Sequence, residues 1–339
     1  MLKSKKNAAY VIAEVGQNHQ GDIDLAKRYI HRFAEAGADA IKFQKRDMET
    51  LFTREALEKP YDSENAFADT YGAHREFLEL SIEEMHILKK ECESAGVDFM
   101  CTAFDEVSLE GLVSIGTDVI KIASFDMGNL PFLGKVVLSG VPFVISSGGS
   151  NEDVVNKTIE YLSKLNASFN VLHCVSRYPC NADDLALGRI CELKEKYPDL
   201  QVGLSDHFNG ILSGALGYLL GAEVFEKHVT FDRSWKGTDH SFALTLHGFT
   251  NFVRDINRAR VMIKKDLPSG VGNEAVFKKL GKKLEAACDI EVGDVLETSN
   301  LTSRISPQGI PVRDSVNLIG KQAKSKYKKG DFLDESELF

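Results

Sequence analysis

Eight short, near-continuous apolar runs, separated by helical stretches, constrain this chain more than any other feature. They are AYVIAEV from Ala9, ADAIKFQ from Ala38, VDFMCTA from Val97, DVIKIAS from Asp118, PFVISSG from Pro142, FNVLHCV from Phe169, LQVGLSD from Leu200 and AEVFEKHV from Ala222. Runs with so little polar alternation suit parallel strands covered on both faces. Between them, residues 22–36 place Ile23, Ala26, Ile30, Phe33 and Ala34 on one stripe. Ser81 and Glu84 stand at capping-box spacing before a helix to Ala95, and residues 209–220 and 247–263 also read as helices. Eight such units predict an α/β fold, a (β/α)8 TIM barrel. A doubly wound open sheet is the alternative, but no GxGxxG follows the first strand.

Residues 50–80 break the rhythm. They are polar and aromatic, too long for an ordinary barrel loop, and predict a structured cover over a site. The pattern changes again near Lys265. Residues 1–265 read as the barrel and 266–280, containing Pro and glycines, as a linker. Residues 281–339, with turn-like EVGD and KKGD, read as a small, mostly β domain whose thin core predicts docking on another surface.

A net charge of -9 argues against a nucleic-acid binder. It leaves room for anionic small molecules, because a few lysines focused in a cleft override the global sign. No stretch is apolar enough to span a bilayer. The N-terminus lacks a signal-peptide pattern, and the six cysteines form no CxxC pair, which together predict reduced thiols in a cytoplasmic protein. No cysteine is flanked by an evident base, so all six read as packing residues.

Barrel chemistry gathers at the carboxyl ends of the strands, and there every run turns polar. The residues in order are Glu14; Lys42 and Gln44; Thr102; Lys121 and Ser124; Ser146 to Gly149; Ser176 and Tyr178; Ser205, Asp206 and His207; Glu226 and His228. A lysine inside an apolar strand needs an anionic partner or a lowered pKa, and Lys42 and Lys121, read as lying on neighbouring strands, point to a polyanionic ligand. In ISSGGSNEDV, Ser150 with Asp153 reads as a helix cap beside exposed backbone N–H groups, a setting that favours phosphate or carboxylate. His207 and His228 at one rim level could share a metal ion or be hydrogen-bonded structural residues; spacing does not name the metal. Glu14 and Asp239 offer oxygen donors or acid–base groups. His19 reads as structural, orienting the loop from Gly16 to Gly21.

IAEVGQNHQGD, IKFQKRD, FDEVSLEGL, VIKIAS, VISSGG, VSRYP, GLSDH and EKHVTFDRSWKGTDHS, taken in order, resemble the sialic acid (nonulosonic acid) synthase family. The tail from about Leu280 resembles that family's antifreeze-like (SAF) domain, and KPYDSENAFADTYGAHREFLELS is most similar to the N-acetylneuraminate synthase branch. The resemblance implies condensation of phosphoenolpyruvate with an N-acylmannosamine-type sugar or its 6-phosphate, releasing inorganic phosphate, with manganese or magnesium as cofactor. It implies metal ligands at His207 and His228, and a phosphoenolpyruvate set of Lys42, Thr102, Lys121, Ser124, Ser146 and Ser205. Ser176 stands where some members carry Asn for a phosphate contact. Glu14, Gln44, Tyr178 and Asp239 match positions near the sugar and the reacting carbons. A homodimer with exchanged C-terminal domains is also implied, with Arg304 offered to the sugar's N-acyl group from SRISPQG, which departs from a KRPG-like segment. Rival readings are a legionaminic- or pseudaminic-type synthase, a metal-dependent aldolase or isomerase on the same barrel, and a non-catalytic sugar- or ice-binding protein suggested only by the tail.

Overall fold

The computed structural model describes residues 2–272 and 274–338. Met1, Asn273 and Phe339, which the expected domain ranges include, lie outside the described residues. The chain divides into two compact units, one running to Ile263 and one from Lys264 onward.

In the first unit eight parallel strands close into a barrel in sequence order: β1 Tyr10–Gly16, β2 Ala40–Lys45, β3 Asp98–Ala103, β4 Val119–Ile122, β5 Phe143–Ser146, β6 Phe169–Cys174, β7 Val202–Asp206 and β8 Val224–His228. The closing seam pairs β1 with β8, with Ile12 opposite Glu226 and Glu14 opposite His228. This is the TIM-type barrel that the apolar runs predict. Because side chains alternate along a strand, each run splits into two sets. One set, including Val11, Ala13, Ile41, Phe43, Phe99 and Phe225, packs outward against the helices. The other, Tyr10, Ile12, Ala40, Met100, Val119, Val144, Leu172 and Val224, fills the lumen. At Gly203 the lumen has no space for a side chain: an added Cβ would lie 2.2 Å from the Val224 carbonyl oxygen and 2.5 Å from a Leu172 methyl.

Local signals place the outer helices. Asp22 caps the helix Ile23–Glu35 through the Asp24 and Leu25 amides, and that helix buries Ala26, Tyr29, Ile30 and Phe33. The Ser81/Glu84 capping box is present at the start of Ile82–Ala95, which ends on Gly96 in the left-handed region. The cap read at Ser150 is displaced by one residue. Asn151 caps the helix Glu152–Lys164, its side chain accepting from the Val154 amide, while the Ser150 amide is tied back to the Ser147 carbonyl in the preceding turn. The helix expected from residue 209 begins at Leu212. Residues 48–78 form three short helices, Met48–Leu51, Arg54–Glu58 and Tyr71–Leu78, rather than one loop.

The second unit carries the helix Ala275–Leu280 within the stretch read as a linker, and an antiparallel pair, β9 Lys282–Ala286 with β10 Leu301–Ile305. Leu284, Ile290, Leu296, Ile310, Tyr327 and Leu333 are among its core residues. No helix among the described residues is long and apolar enough to cross a membrane.

Candidate active site at the carboxyl end of the barrel

Two residues beyond the apolar lumen layer, the alternation that buried Ile12, Ala40, Met100, Val119, Val144, Gly203 and Val224 presents Glu14, Lys42, Thr102, Lys121, Ser146, Ser205 and Glu226. These side chains floor a cavity of about 830 Å³. The same geometry removes Asp206 from the mouth. It points outward, pairs with Lys227 at 2.7 Å and accepts from the Phe208 amide and Ser213, so it braces the barrel wall.

The floor is one continuous polar network. Lys42 Nζ lies 2.7 Å from Glu14 Oε2 and 3.7 Å from Glu226 Oε2, and Lys121 Nζ lies 3.6 Å from that same Glu226 oxygen. Lys42 donates to Thr102 at 3.0 Å, Lys121 to Ser146 at 2.6 Å, Ser205 to Glu226 at 3.1 Å and Gln44 to Glu14 at 2.7 Å. The two lysines are not on neighbouring strands, because β3 lies between β2 and β4. They converge through Glu226, whose strand end the sequence displays but whose bridging role only ring closure creates.

Burial makes these charges unequal. Loss of hydration and the nearby Glu226 push Glu14 above the ordinary carboxylate range, against the pull of Lys42 and Gln44. Glu226 also loses hydration, yet the Lys121 and Lys42 ammonium groups outweigh that and hold it at about 2. Two carboxyls driven apart in this way divide into a permanent anion, Glu226, and a group suited to exchange a proton, Glu14.

On one side of the floor lie Ser124, Cys174 and Ser176. Ser176 Oγ is buried without a hydrogen-bond partner, and Gly148 leaves the space between them, since an added Cβ would lie 2.3 Å from Ser176 Oγ and 2.8 Å from Ser124 Oγ. This small, unsatisfied cradle beside Lys121 fits an anionic group. Cys174 corrects the view that no cysteine has a basic neighbour. Its sulfur sits 3.9 Å from His207 Nδ1 and 3.6 Å from Ser124 Oγ, contacts between strands that sequence adjacency does not reveal.

On the other side stand the two histidines, ring centroids 5.3 Å apart. His207 Nδ1 donates to the Val175 carbonyl at 3.0 Å, which leaves Nε2 with its lone pair. His228 Nδ1 is buried without a hydrogen-bond partner and lies 3.6 Å from Asp239 Oδ2. Burial holds the His228 ring neutral, at about 3. Two imidazoles, one with an orphaned ring nitrogen, would supply a divalent cation with two nitrogen donors. Among the described residues no group of three or more His, Cys, Asp or Glu side chains could hold an ion by itself. Tyr178 packs at a tilt against His207, centroids 4.2 Å apart.

The cover predicted from residues 50–80 supplies a wall that sequence reading did not itemise: Leu51, Phe52, Asn65, Tyr71 and Arg75, with Gln17 and Arg46. Arg46 had a signal, since it continues the lumen alternation of residues 40, 42 and 44. Arg75 had none, because no period links a helix in an insertion to a barrel mouth. His19 is buried outside the cavity, its Nδ1 accepting from the Gly21 amide at 3.1 Å, in keeping with the structural reading. Arg304 lies on β10 of the second unit, ion-paired with Glu285.

A family model described as the NeuB family matches residues 29–267. The chain is 36% identical over 335 residues to N-acetylneuraminate-9-phosphate synthase of Homo sapiens, covering 97% of this chain and 92% of that protein. It is 31% identical to N,N'-diacetyllegionaminic acid synthase of Legionella pneumophila subsp. pneumophila, covering 96% and 93%. Among solved structures, the N-acetylneuraminic acid (sialic acid) synthetase of Leptospira borgpetersenii serovar Hardjo-bovis, in complex with citrate, superposes with a TM-score of 0.67. It is 31% identical, over 81% of this chain and 94% of that one.

Proposed function

Because this chain belongs to the NeuB family, the sialic acid synthase family, we propose that it condenses phosphoenolpyruvate with an N-acylmannosamine-type sugar and water to give a nonulosonic acid and inorganic phosphate. It is a synthase of the transferase type. The observation that carries the reading is the buried floor in which Lys42 and Lys121 share Glu226 beside a paired His207 and His228.

The enol phosphate brings a carboxylate and a phosphate. Lys42 with Thr102, and Lys121 with Ser146, are the cations and hydroxyls that would hold these groups, with Ser124 and Ser176 completing the cradle and Ser205 anchoring Glu226 in place. Holding the two reactants this way supplies much of the rate by orientation and fixed electrostatics. Carbon 3 of the enol forms a bond to the aldehyde carbon of the opened sugar, and the aldehyde oxygen takes up a proton to become a hydroxyl. Water adds to carbon 2 and loses a proton; the bond from carbon 2 to the phosphate oxygen then breaks as the remaining hydroxyl proton passes to the departing phosphate, leaving a ketone and inorganic phosphate. Glu14, with its raised proton affinity and its contacts to Lys42 and Gln44, stands where it can steady positive charge at carbon 2 and carry a proton to or from the adding water. Asp239 and Tyr178 border the sugar end.

His207 and His228, with Asp239 nearby, would hold a divalent cation, manganese or magnesium, which when bound polarises carbonyl oxygen as a Lewis acid. The remaining part of the reading is assembly. Arg304 of a second copy would meet the sugar's N-acyl group within a homodimer, which is tested by mixing inactive Arg304→Ala and Glu14→Gln copies and looking for recovered turnover.

The primary test incubates the enzyme with phosphoenolpyruvate, Mn2+ and a panel of N-acylhexosamines, following phosphate release and product mass. Phosphate release tied to a product heavier by a pyruvate unit supports the reading. Turnover of a sugar with no phosphoenolpyruvate consumed would instead favour an aldolase or isomerase.

A further inference from the structure

We propose that His240 is a positioning residue: its buried ring pins the loop of residues 232–241 so that the neighbouring Asp239 carboxylate is held at the sugar end of the cavity. The inference rests on the condensation reading and adds a group that acts on the reaction only through Asp239.

Asp239 has little to hold it. Its side chain is 23% exposed and lines the cavity, with Oδ2 3.6 Å from His228 Nδ1. Among the described residues the one hydrogen bond it accepts comes from the hydroxyl of its own neighbour Thr238, at 2.8 Å. The loop that carries it contains no helix or strand. The place of the carboxylate is therefore set by whatever fixes the loop backbone.

His240, the next residue, lies outside the cavity lining and is 1% exposed. Both ring nitrogens are engaged, and their partners fix which one carries the proton. Gln20 Nε2, a group that only donates, lies 3.3 Å from His240 Nε2, so Nε2 accepts. Nδ1 then carries the proton and donates to Thr230 Oγ1 at 2.8 Å, while the Thr230 hydroxyl donates to the Asp232 carbonyl at 2.9 Å. Each partner is anchored in turn. Just beyond β8, the Thr230 amide donates to the Leu244 carbonyl at 2.9 Å. Gln20, in the loop after β1, also donates to the Lys236 carbonyl at 2.8 Å. Trp235 meets the ring edge-on, centroids 5.8 Å apart. Gly237, at φ +144°, brings the backbone so close that an added Cβ would lie 2.7 Å from His240 Cδ2. One imidazole thus joins the ends of β1 and β8 to the loop, and a buried ring with both nitrogens satisfied holds a single geometry.

Three variants test the assignment: His240→Ala, His240→Asn and Asp239→Asn. For each, kcat and KM are read for phosphoenolpyruvate and for the better of N-acetylmannosamine and its 6-phosphate, with thermal melting to confirm folding. His240→Ala should lower kcat/KM for the sugar about 10- to 100-fold, as misplacement of a reacting group does, and leave KM for phosphoenolpyruvate within about twofold. Asp239→Asn should fall at least as far. His240→Asn, whose amide N–H can replace Nδ1–H toward Thr230, should recover most of the loss. A His240→Ala enzyme that melts earlier but keeps its sugar kcat/KM, or that loses both substrates alike, overturns the proposal. So does a loss in His240→Ala when Asp239→Asn turns over like wild type, since His240 would then act by another route. If His240→Ala does not fold, Thr230→Val removes the Nδ1 partner at nearly constant shape, and an unchanged sugar kcat/KM decides against the proposal. If wild type releases no phosphate with either sugar, the condensation reading fails, and backbone hydrogen exchange of residues 236–241 decides the rest. Faster exchange in His240→Ala, restored in His240→Asn, supports the anchor, and equal exchange rejects it.

Discussion

Glu14 and Lys42 are register partners on β1 and β2, and their side chains close a 2.7 Å ion pair at the floor of the barrel mouth, both almost wholly excluded from water. The pair is also the point where proton exchange and anion binding meet. Replacing Glu14 by Gln keeps a polar group against Lys42 and Gln44 but removes the exchangeable proton and the charge. Turnover is expected to fall by about 10²- to 10⁴-fold, the usual contribution of a positioned acid–base group. The fold should survive, with a denaturation midpoint close to wild type. A phosphate-release assay beside urea unfolding checks both; a variant with wild-type turnover would remove Glu14 from the chemistry.

His228→Ala should lose most of its turnover and remain folded, because the ring sits at the rim with an unsatisfied Nδ1 and makes little of the core. Mn2+ affinity measured by calorimetry should drop at least about tenfold. Chelator-treated wild type should lose activity and regain it with added Mn2+ or Mg2+. Full turnover of His228→Ala under saturating metal would count against the histidine pair as a metal site.

Asp206 and Lys227 form the structural counterpart on the outer side of β7 and β8, where neither side chain is more than 1% exposed. Lys227→Met would leave Asp206 buried without its cation, and such a break costs about 3–5 kcal/mol. Stability measured by chemical denaturation should fall by that amount, while kcat/KM of the folded enzyme at low temperature stays within a few-fold of wild type. A large loss of turnover without a loss of stability would mean that Asp206 belongs to the site.

His19 predicts an acid sensitivity. Burial, the main influence, holds its pKa at about 4 against an ordinary value of 6.5, so the folded protein keeps it neutral while the unfolded chain protonates it. The unfolded state binds the extra proton below about pH 6.5, so stability due to the neutral ring is complete above that pH and is lost as pH falls toward 4. The loss from this one residue is about 1–3 kcal/mol between pH 7 and pH 4. Urea midpoints across this range should show it, and His19→Asn, which can still accept from the Gly21 amide, should flatten that part of the curve. An identical slope in the variant would exclude His19 as the source.

Much of the fold was legible because burial on both faces leaves a direct mark. Runs such as PFVISSG and AEVFEKHV have few other uses, and their spacing admits few topologies. The polar residues two positions beyond the apolar lumen layer were legible for the same reason, which is why Lys42, Thr102, Lys121, Ser146, Ser205 and Glu226 emerge together. Helix starts were less so: Ser150 and Asn151 are both good caps, and the choice between them fell to a turn bond from the Ser150 amide to Ser147.

The order of the residues determined that eight strands would form, which side chains would face inward, and that cations and imidazoles would collect at one end. Those outcomes depend on short-range periodicity and on hydrophobic burial. Tertiary structure alone decided that Glu226 would bridge two lysines from β2 and β4, that Cys174 would lie beside His207, and that Arg75 from an insertion would line the cavity wall. Each depends on closing the ring or folding a loop across it, and no local period records a distance between residues remote along the chain.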